Sequence, residues 1–308
     1  MTEAYKLKPV GTKDRAGLDN QAFVGRPAAA IEIKYTTAID IIGCSFKHLA
    51  STGIDGKLGA KKLNIQGCLL KDIGGNGILA GNYGDEGREI HLPYITKNES
   101  DVCEHITISN NLVTDATNED WGTVGIGLGV IRNSTISSNE VENVSYSGIS
   151  LGWGWNTTKS IAENNIVTKN KIHHYGKHNY DCAGIYTLSN QPNTRVEYNY
   201  IDSIYKASYP HLPSHWFYIY ADEGSSNITF ENNWTPSTKY LQNQNGEGNV
   251  WKNNGNEVNL KVKQNAGLED KYAHLLNEKT SLSVKQPINE EHNEVIELVV
   301  KENKIVDL

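Results

Sequence analysis

A short pattern recurs along this chain: a β-rich run, a small polar residue, an apolar residue and a turn. The shared position is glycine in the first two copies and asparagine in the later ones: Gly43, Gly67, Asn110, Asn139, Asn170, Asn199, Asn232 and Asn253. No copy is long enough to enclose a hydrophobic core by itself, so the copies must stack as coils whose equivalent strands pair in parallel. The repeat therefore predicts a solenoid.

A second strand recurs later in each copy and supports the same fold. It is marked by an isoleucine that usually follows glycine, in TGI at 52–54, NGI at 76–78, VGI at 124–126, SGI at 147–149, AGI at 183–185 and FYI at 217–219. Asparagine tolerates left-handed backbone angles, and its amide bonds to backbone and to the next asparagine. The sequence thus predicts an all-β, single-stranded right-handed parallel β-helix over 31–257 with an asparagine ladder. Cys44 and Cys68 follow the first two ladder positions and are expected to stack as buried thiols.

The two ends of the chain depart from the repeat. Residues 1–30 show no comparable pattern and are expected to be irregular. Residues 258–308 are expected to form a cap, because VKQNAGLEDKYAHLL predicts a short helix over the open end of the stack. The run from 281 onward predicts a hairpin or a strand added to a sheet edge. Within the repeat, GNYGDEGREIHLPYITKNESDV at 81–102 is interpreted as an inserted loop.

Charge and hydropathy exclude several classes of function. The 308 residues carry a net charge of −7, so the clustered basic face of a nucleic-acid-binding protein is not expected. No apolar stretch approaches the roughly 18 residues of a membrane-spanning helix. The first thirty residues lack the apolar run of a secretory signal, so the chain is either intracellular or has lost a leader, and we favour the second.

No metal or cofactor is expected from the sequence. The cysteines lack zinc-site spacing, an HExxH motif is absent, and no carboxylate cluster near the irregular coils is dense enough for calcium.

Between 120 and 224 the repeat is interrupted by carboxylates next to strands, and chemistry is expected there. Asp222 and Glu223 directly follow the strand FYIYA, and Asp120 lies in TNEDWG. Asp181 lies between a histidine-rich loop and the strand AGIY, where loss of water contact would raise its pKa. Asp181 and Asp222 are the candidate catalytic residues, whereas Glu223 and Asp120 are candidate substrate contacts. As an alternative, each of these carboxylates only belongs to a turn and takes no part in catalysis or substrate binding.

Aromatic and imidazole side chains in the same coils are candidate substrate contacts. Trp153 and Trp155, in GWGW, offer indole faces that stack on sugar rings, or else they pack beneath a loop. Tyr186 lies in the strand GIYTL. His211 and His215 lie in YKASYPHLPSHWFY, an insertion with two prolines that is expected to overhang the groove.

The segments GISLGWGWN, DCAGIYTLSNQPNTRVEYNYI and YADEGSSNITFENN, followed by AGLEDKY, resemble the catalytic β-helix of glycoside hydrolase family 141, a pectate-lyase-like solenoid. The resemblance covers roughly 31–275. It implies relatives that are α-L-fucosidases and xylanases of plant cell-wall glycans, a carbohydrate substrate, a secreted or periplasmic location, and catalytic aspartates that match Asp181 and Asp222. Cys182 and Ala183 stand where relatives usually carry glycine, and the first part of the family's helix is absent.

The register of the repeat conflicts with this catalytic pair. If Gly184 stacks on Tyr218, then Asp181 stacks on His215, and Asp222 lies about 23 Å further along an extended strand. Glycoside hydrolysis by two carboxyl groups needs a separation of about 5–5.5 Å for retention or about 6.5–9.5 Å for inversion. The pair therefore requires a sharp bend between Asp181 and Gly184. Without that bend, Glu223 or Asp120 is the expected partner.

Three functions remain open from the sequence. The first is a glycoside hydrolase in which Asp222 and Asp181 act as acid and as base or nucleophile. The second is a non-catalytic glycan-binding or scaffold β-helix, part of a larger enzyme. The third is a polysaccharide lyase, which is less favoured because 120–224 holds few basic residues, Arg132 and Arg195 among them, and the acidic balance would repel a uronate chain.

Overall fold

The strands in the described part of the chain pair in parallel, each with the equivalent strand one coil away. The computed structural model describes residues 26, 28–83, 93–96, 98–242 and 246–279. Successive coils contribute strands to three sheets in the order sheet A, sheet B, sheet C. The predicted parallel β-helix is confirmed.

The three sheets extend along the solenoid. Sheet A contains Ala29–Ile33, Thr52–Gly56, Ile78–Ala80, Ile126–Leu128, Ile149–Leu151, Cys182–Thr187, Trp216–Ala221 and Tyr240–Gln242. Sheet B contains Thr37–Ile42, Lys61–Gln66, Thr107–Ser109, Thr135–Ser137, Ile166–Thr168, Asn190–Glu197, Ser226–Glu231 and Val250–Lys252. Sheet C contains Ser45–Leu49, Leu69–Ile73, Leu112–Ala116, Glu140–Val144, Lys171–Tyr175 and Tyr200–Ile204. The described helical segments are the α-helix α1 (Leu260–Asn265) and two 3₁₀ helices, Glu99–Asp101 and Asp270–Lys279.

Sheet A aligns its isoleucines as the repeat predicts. They pair in one register and are buried in one core: Ile54, Ile78, Ile126, Ile149, Ile185 and Ile219. The preceding glycine is required by the close approach of sheet C, since a Cβ on Gly148 would lie 2.3 Å from Ile172 Cγ2. Tyr218 replaces that glycine in a coil whose described residues add no strand to sheet C. In the described part of that coil, no side chain of a sheet C strand occupies the space beside this position, so a tyrosine side chain fits there.

The stacked asparagines lie one residue away from the predicted position in three coils. In the buried column each Nδ2 donates to the Oδ1 of the next member: Asn111, Asn139, Asn170, Asn199, Asn233 and Asn254. Asn110, Asn232 and Asn253 come one residue earlier and adopt left-handed φ angles of 56°, 54° and 50°. The prediction was wrong there because each coil contains two consecutive asparagines, and the sequence pattern fits either one.

Cys44 and Cys68 occupy the same column position in the first coils, but the expected buried pair is wrong. The Cys68 backbone N–H donates to Asn111 Oδ1 at 2.9 Å, and its side chain is buried. Cys44 is exposed. Burial raises the pKa of the Cys68 thiol to about 11, so this thiol is protonated at neutral pH.

In place of one helix over the predicted run, the C-terminal segment has the short α1 and then the 3₁₀ helix Asp270–Lys279, whose contacts lie along the side of the solenoid. Tyr272 and Leu275 are buried against Leu69 and Leu112 at sheet C. Glu278 reaches the first coil, where Lys47 Nζ lies 2.8 Å from its Oε2. The 3₁₀ helix therefore runs back over earlier coils, whereas Lys263 of α1 lies over the ring of Trp234 near the end of the stack. The hairpin predicted from 281 onward lies outside the described residues, as do residues 1–25.

No helix in the described ranges combines the length and apolar character needed to cross a membrane.

The inserted loop at 81–102 is partly described. Tyr94, from this loop, accepts a hydrogen bond from Asn82 Nδ2 at 2.8 Å and packs in one cluster with Tyr83 and Trp153. The loop therefore covers part of the outer face of sheet A.

Candidate active site on sheet A

Asp181 and Asp222 lie at opposite ends of neighbouring strands of sheet A. Asp181 immediately precedes Cys182–Thr187, and its backbone N–H donates to the carbonyl of His215 at 2.6 Å. This is the register that the sequence predicts, with Asp181 beside His215. The backbone of Asp181 has a left-handed φ of 56°, so the chain turns sharply at this residue. The chain therefore turns at Asp181 itself, before the strand, whereas from Cys182 onward the strand continues in register with Trp216–Ala221 and has no bend.

Tyr220 links the two aspartates through its phenol. Its Oη donates to Asp181 Oδ1 at 3.1 Å and also interacts with the Asp222 carboxylate as a hydrogen-bond partner. The separation of about 23 Å expected for an extended strand is a distance along the backbone, and the long tyrosine side chain spans part of it. The phenol of Tyr220 therefore lies beside both carboxylates, although their backbones are at opposite ends of the strands.

Asp222 is held among phenols in a nearly water-free position. Tyr186 Oη donates to Asp222 Oδ2, and Asp222 is 6% exposed. Burial is the main reason that the pKa of Tyr186 is well above its ordinary value, and burial likewise raises the pKa of Tyr220. Nearby carboxylates raise both values further. The two phenols therefore remain protonated hydrogen-bond donors over the working pH range of most enzymes.

Asp181 has a more open and partly ionic environment. His215 Nε2 lies 3.0 Å from Asp181 Oδ1, and the two side chains are 33% and 35% exposed. When His215 is protonated, it forms an ion pair with Asp181. One carboxylate thus faces solvent and an imidazole, and the other is enclosed by phenols. Such a difference in surroundings is the usual way to give two carboxyl groups different roles.

An aromatic and aliphatic floor surrounds the pair on the outer face of sheet A. Trp155 packs, partly buried, on a cluster that contains Ala183, Tyr186, Leu188, Phe217 and Tyr220. Its ring therefore packs on the cluster that contains Tyr186 and Tyr220, the hydrogen-bond donors to the two aspartates. Trp153 is 8% exposed and makes an edge contact with Tyr83 at 5.3 Å. Its indole supports the loop beneath Trp155, so the packing alternative describes Trp153.

The remaining predicted residues lie at different distances from the pair. His211 is exposed on the rim, with its ring 6.4 Å from that of Tyr180, which is 6.5 Å from His215. The carbonyl of Glu223 accepts from the Ser189 N–H at 3.3 Å, which fixes the turn after Asp222. Asp120 accepts from the Gly122 N–H at 3.3 Å within its own turn, and burial raises the pKa of Asp120. Asp120 is not needed as a replacement partner.

Sequence reasoning missed Tyr220 and Phe217. A signal was available, because Tyr220 pairs with Tyr186 in the register of sheet A and lies two residues before Asp222. Two tyrosines in one outward column beside an aspartate predict a phenol–carboxylate cluster. The second hydrogen bond of Tyr220, to Asp181, depends on the left-handed turn at Asp181, which the repeat does not encode.

One group of side chains in the described ranges has ligand atoms close enough to hold a metal ion, on sheet C. It consists of Glu142, His173 and His174. Lys279 Nζ already lies 3.0 Å from Glu142 Oε1, and His173 Nε2 lies 3.3 Å from Glu142 Oε2. The Lys279 ammonium already lies against the carboxylate, so the arrangement does not favour an added cation.

Comparison with known proteins gives one informative match. The chain is similar to a solved structure described as a glycoside hydrolase, with 47% identity and a TM-score of 0.80 over 82% of this chain. The match covers 42% of that protein, so the chain spans less than half of its length. Dettilon tailspike protein is 17% identical over 77% of this chain and 55% of its own, with a TM-score of 0.39. Neither a protein-family model nor a curated protein matches the chain.

Proposed function

We propose that this chain is the catalytic β-helix of a glycoside hydrolase related to family 141, which cleaves a plant cell-wall-type polysaccharide or oligosaccharide. The observation that carries the proposal is the Tyr220 hydroxyl, which approaches both Asp181 and Asp222. The 47% identity to a protein described as a glycoside hydrolase supports the same reaction class. A secreted or periplasmic location follows from such a substrate and belongs to the proposal.

The reaction would use the pair in complementary roles. One carboxyl group donates its proton to the glycosidic oxygen as the bond to the anomeric carbon breaks. The other carboxylate attacks that carbon directly, or it removes a proton from the attacking water. Tyr186 holds Asp222 in place as a hydrogen-bond donor, and Tyr220 donates its proton to Asp181. Trp155 provides an aromatic face for the sugar at the edge of the site.

The test is substitution of each aspartate by asparagine, which keeps the shape and removes the acid/base function. We expect Asp181→Asn and Asp222→Asn each to lower turnover of arabinoxylan, xyloglucan or a neutral side-chain glycan of pectin by about 10²–10⁴-fold. Asp40→Asn, at an exposed site on sheet B, is the matched control and should keep full activity.

The two variants also separate the possible roles. Added azide restores turnover when the missing carboxylate is a nucleophile, whereas a substrate with a good leaving group restores it when the missing group is the acid. Full activity in both variants contradicts the proposal. Binding of a glycan by the unmodified chain with no turnover of any polymer supports the glycan-binding alternative.

A further inference from the structure

A row of exposed rings lies beside the site, at the turns that lead from sheet C into sheet A. Trp121 and His178 are stacked, with ring centroids 4.2 Å apart and planes inclined by 16°. The ring of Tyr209 extends the row, with its centroid 6.3 Å from that of His178. Trp121 is 45% exposed and Tyr209 is 63% exposed. The row therefore presents aromatic surface to solvent although its members belong to different coils.

Hydrogen bonds from the turns hold these rings in position. Trp121 Nε1 donates to the carbonyl of Asn118 at 3.3 Å, and Asn179 Nδ2 donates to the carbonyl of Trp121 at 2.8 Å. His178 Nδ1 is hydrogen-bonded to Tyr209 Oη. Because the indole N–H is already used and one indole face rests on His178, the opposite face of Trp121 is fixed before a ligand arrives. A fixed ring binds with a smaller loss of conformational entropy.

The row is continuous with the candidate active site. His178 precedes Asp181 by the two residues Asn179 and Tyr180, and the Tyr180 ring lies 6.5 Å from His215, which contacts Asp181. Trp121 belongs to the coil with Ile126–Leu128, two strands before Cys182–Thr187 in sheet A. Two strand spacings of about 4.8 Å place it roughly 10 Å along the solenoid axis from the coil of Asp181.

The chemistry around Trp121 fits a neutral sugar. Flat aromatic faces bind the apolar faces of sugar rings. Glu119 is exposed two residues before Trp121, and Asp115 and Asp72 lie in the same pair of coils. Lys177 Nζ is 3.9 Å from Asp115 and His48 Nδ1 is 2.7 Å from Asp72, so lysine supplies one fixed positive charge among three carboxylates. This acidic surrounding opposes a uronate or another anionic residue.

We propose that Trp121, supported by His178 and Tyr209, forms a distal subsite for a neutral sugar residue. The substrate is then a glycan chain that lies along the solenoid axis, from the Asp181–Asp222 pair toward the earlier coils. This inference rests on the proposed function and extends it, because it assigns the substrate as a chain and gives its direction. A hydrolase that removes one terminal sugar from a short ligand has no use for such a subsite.

The test measures binding separately from turnover. In the Asp222→Asn protein, Trp121→Ala should weaken binding of soluble arabinoxylan or xyloglucan, measured by calorimetry or affinity electrophoresis, about tenfold. Trp121→Phe, which keeps an aromatic face, should restore most of the binding. Tyr198→Ala is the matched control, since Tyr198 is a similarly exposed ring (40%) on the turn between sheets B and C. With aspartates intact, Trp121→Ala should raise KM for the polymer and leave turnover of a short aryl glycoside unchanged.

The outcomes distinguish the two proposals. Unchanged polymer binding in Trp121→Ala, binding of polygalacturonate in preference to the neutral polymers, or no measurable binding of any polymer overturns the distal subsite. Full turnover in Asp222→Asn together with weakened binding in Trp121→Ala overturns the catalytic pair and keeps the subsite.

Discussion

At the scale of single residues, the site depends on how one phenol is shared. Tyr220 is 3% exposed and lies between a partly exposed aspartate and a buried one. Its hydroxyl has one proton to donate and also accepts, so its orientation couples the positions of the two carboxylates. Asp222 has a second donor in Tyr186, whereas Asp181 has His215. Tyr220 is therefore a positioning residue common to both.

The prediction at this scale concerns Tyr220→Phe. The substitution removes the shared hydroxyl and keeps the ring that packs on Phe217. Loss of one preorganised hydrogen bond in a site of this type lowers kcat by about 10- to 100-fold, with a smaller change in KM. Steady-state kinetics and thermal melting of the variant measure this. Tyr218→Phe, at a ring in the main core, is the control for folding, and equal kcat values for Tyr220→Phe and the unmodified chain would exclude the shared-phenol role.

At the scale of elements, two rows of asparagine stack the coils in different ways. The buried row makes a continuous chain of amide bonds, in which Asn170 Nδ2 donates to Asn199 Oδ1 and to the carbonyl of Ile136, both at 3.0 Å. A second, more exposed row joins Asn133, Asn164 and Asn193 at 3.0 and 3.1 Å. The geometry is similar, but water can replace the bonds of the exposed row. Only the buried row should hold the coils together strongly.

The two rows provide a matched pair of substitutions. Asn170→Ala removes its own donors and acceptor and leaves buried partners on the neighbouring coils without a hydrogen bond, at a cost of about 3–5 kcal/mol in the free energy of unfolding. Asn164→Gly removes an exposed amide and keeps a backbone that tolerates the φ of 57° there, so its cost should stay below about 1 kcal/mol. Urea denaturation of both variants measures the difference. Similar losses would show that burial does not decide the strength of the rows.

At the scale of the whole molecule, the repeat was enough to predict the solenoid and the register of sheet A, because stacked coils force equivalent residues into columns. The position of the asparagine column was ambiguous wherever two asparagines were consecutive, as at Asn110 and Asn111. The return of the C-terminal segment along sheet C was not predictable, since it depends on contacts such as that of Tyr272 with Leu112, far away in the sequence. The place of the turn near Asp181 was not predictable for a related reason, because one left-handed residue before a strand leaves the pattern of that strand unchanged.

The attachment of the C-terminal segment should depend on pH. Burial alone would raise the pKa of Glu140, but hydrogen bonds from His173 and Lys279 and the charges of Lys279 and Lys171 lower it to about 2. A carboxyl group with a lowered pKa stabilises the folded state fully above its unfolded value, near 4.5, and loses this contribution as the pH falls toward 2. The contribution is at most about 3 kcal/mol.

Because Lys279 ends the described segment, acid should release this segment before the coils unfold. Hydrogen exchange at Tyr272 and Leu275 between pH 5 and pH 2.5 tests this, and Glu140→Gln should already show faster exchange at pH 5. Glu99→Gln, which removes an exposed partner of Arg132, should behave like the unmodified chain, and equal exchange in both variants would mean that the apolar contacts alone hold the segment.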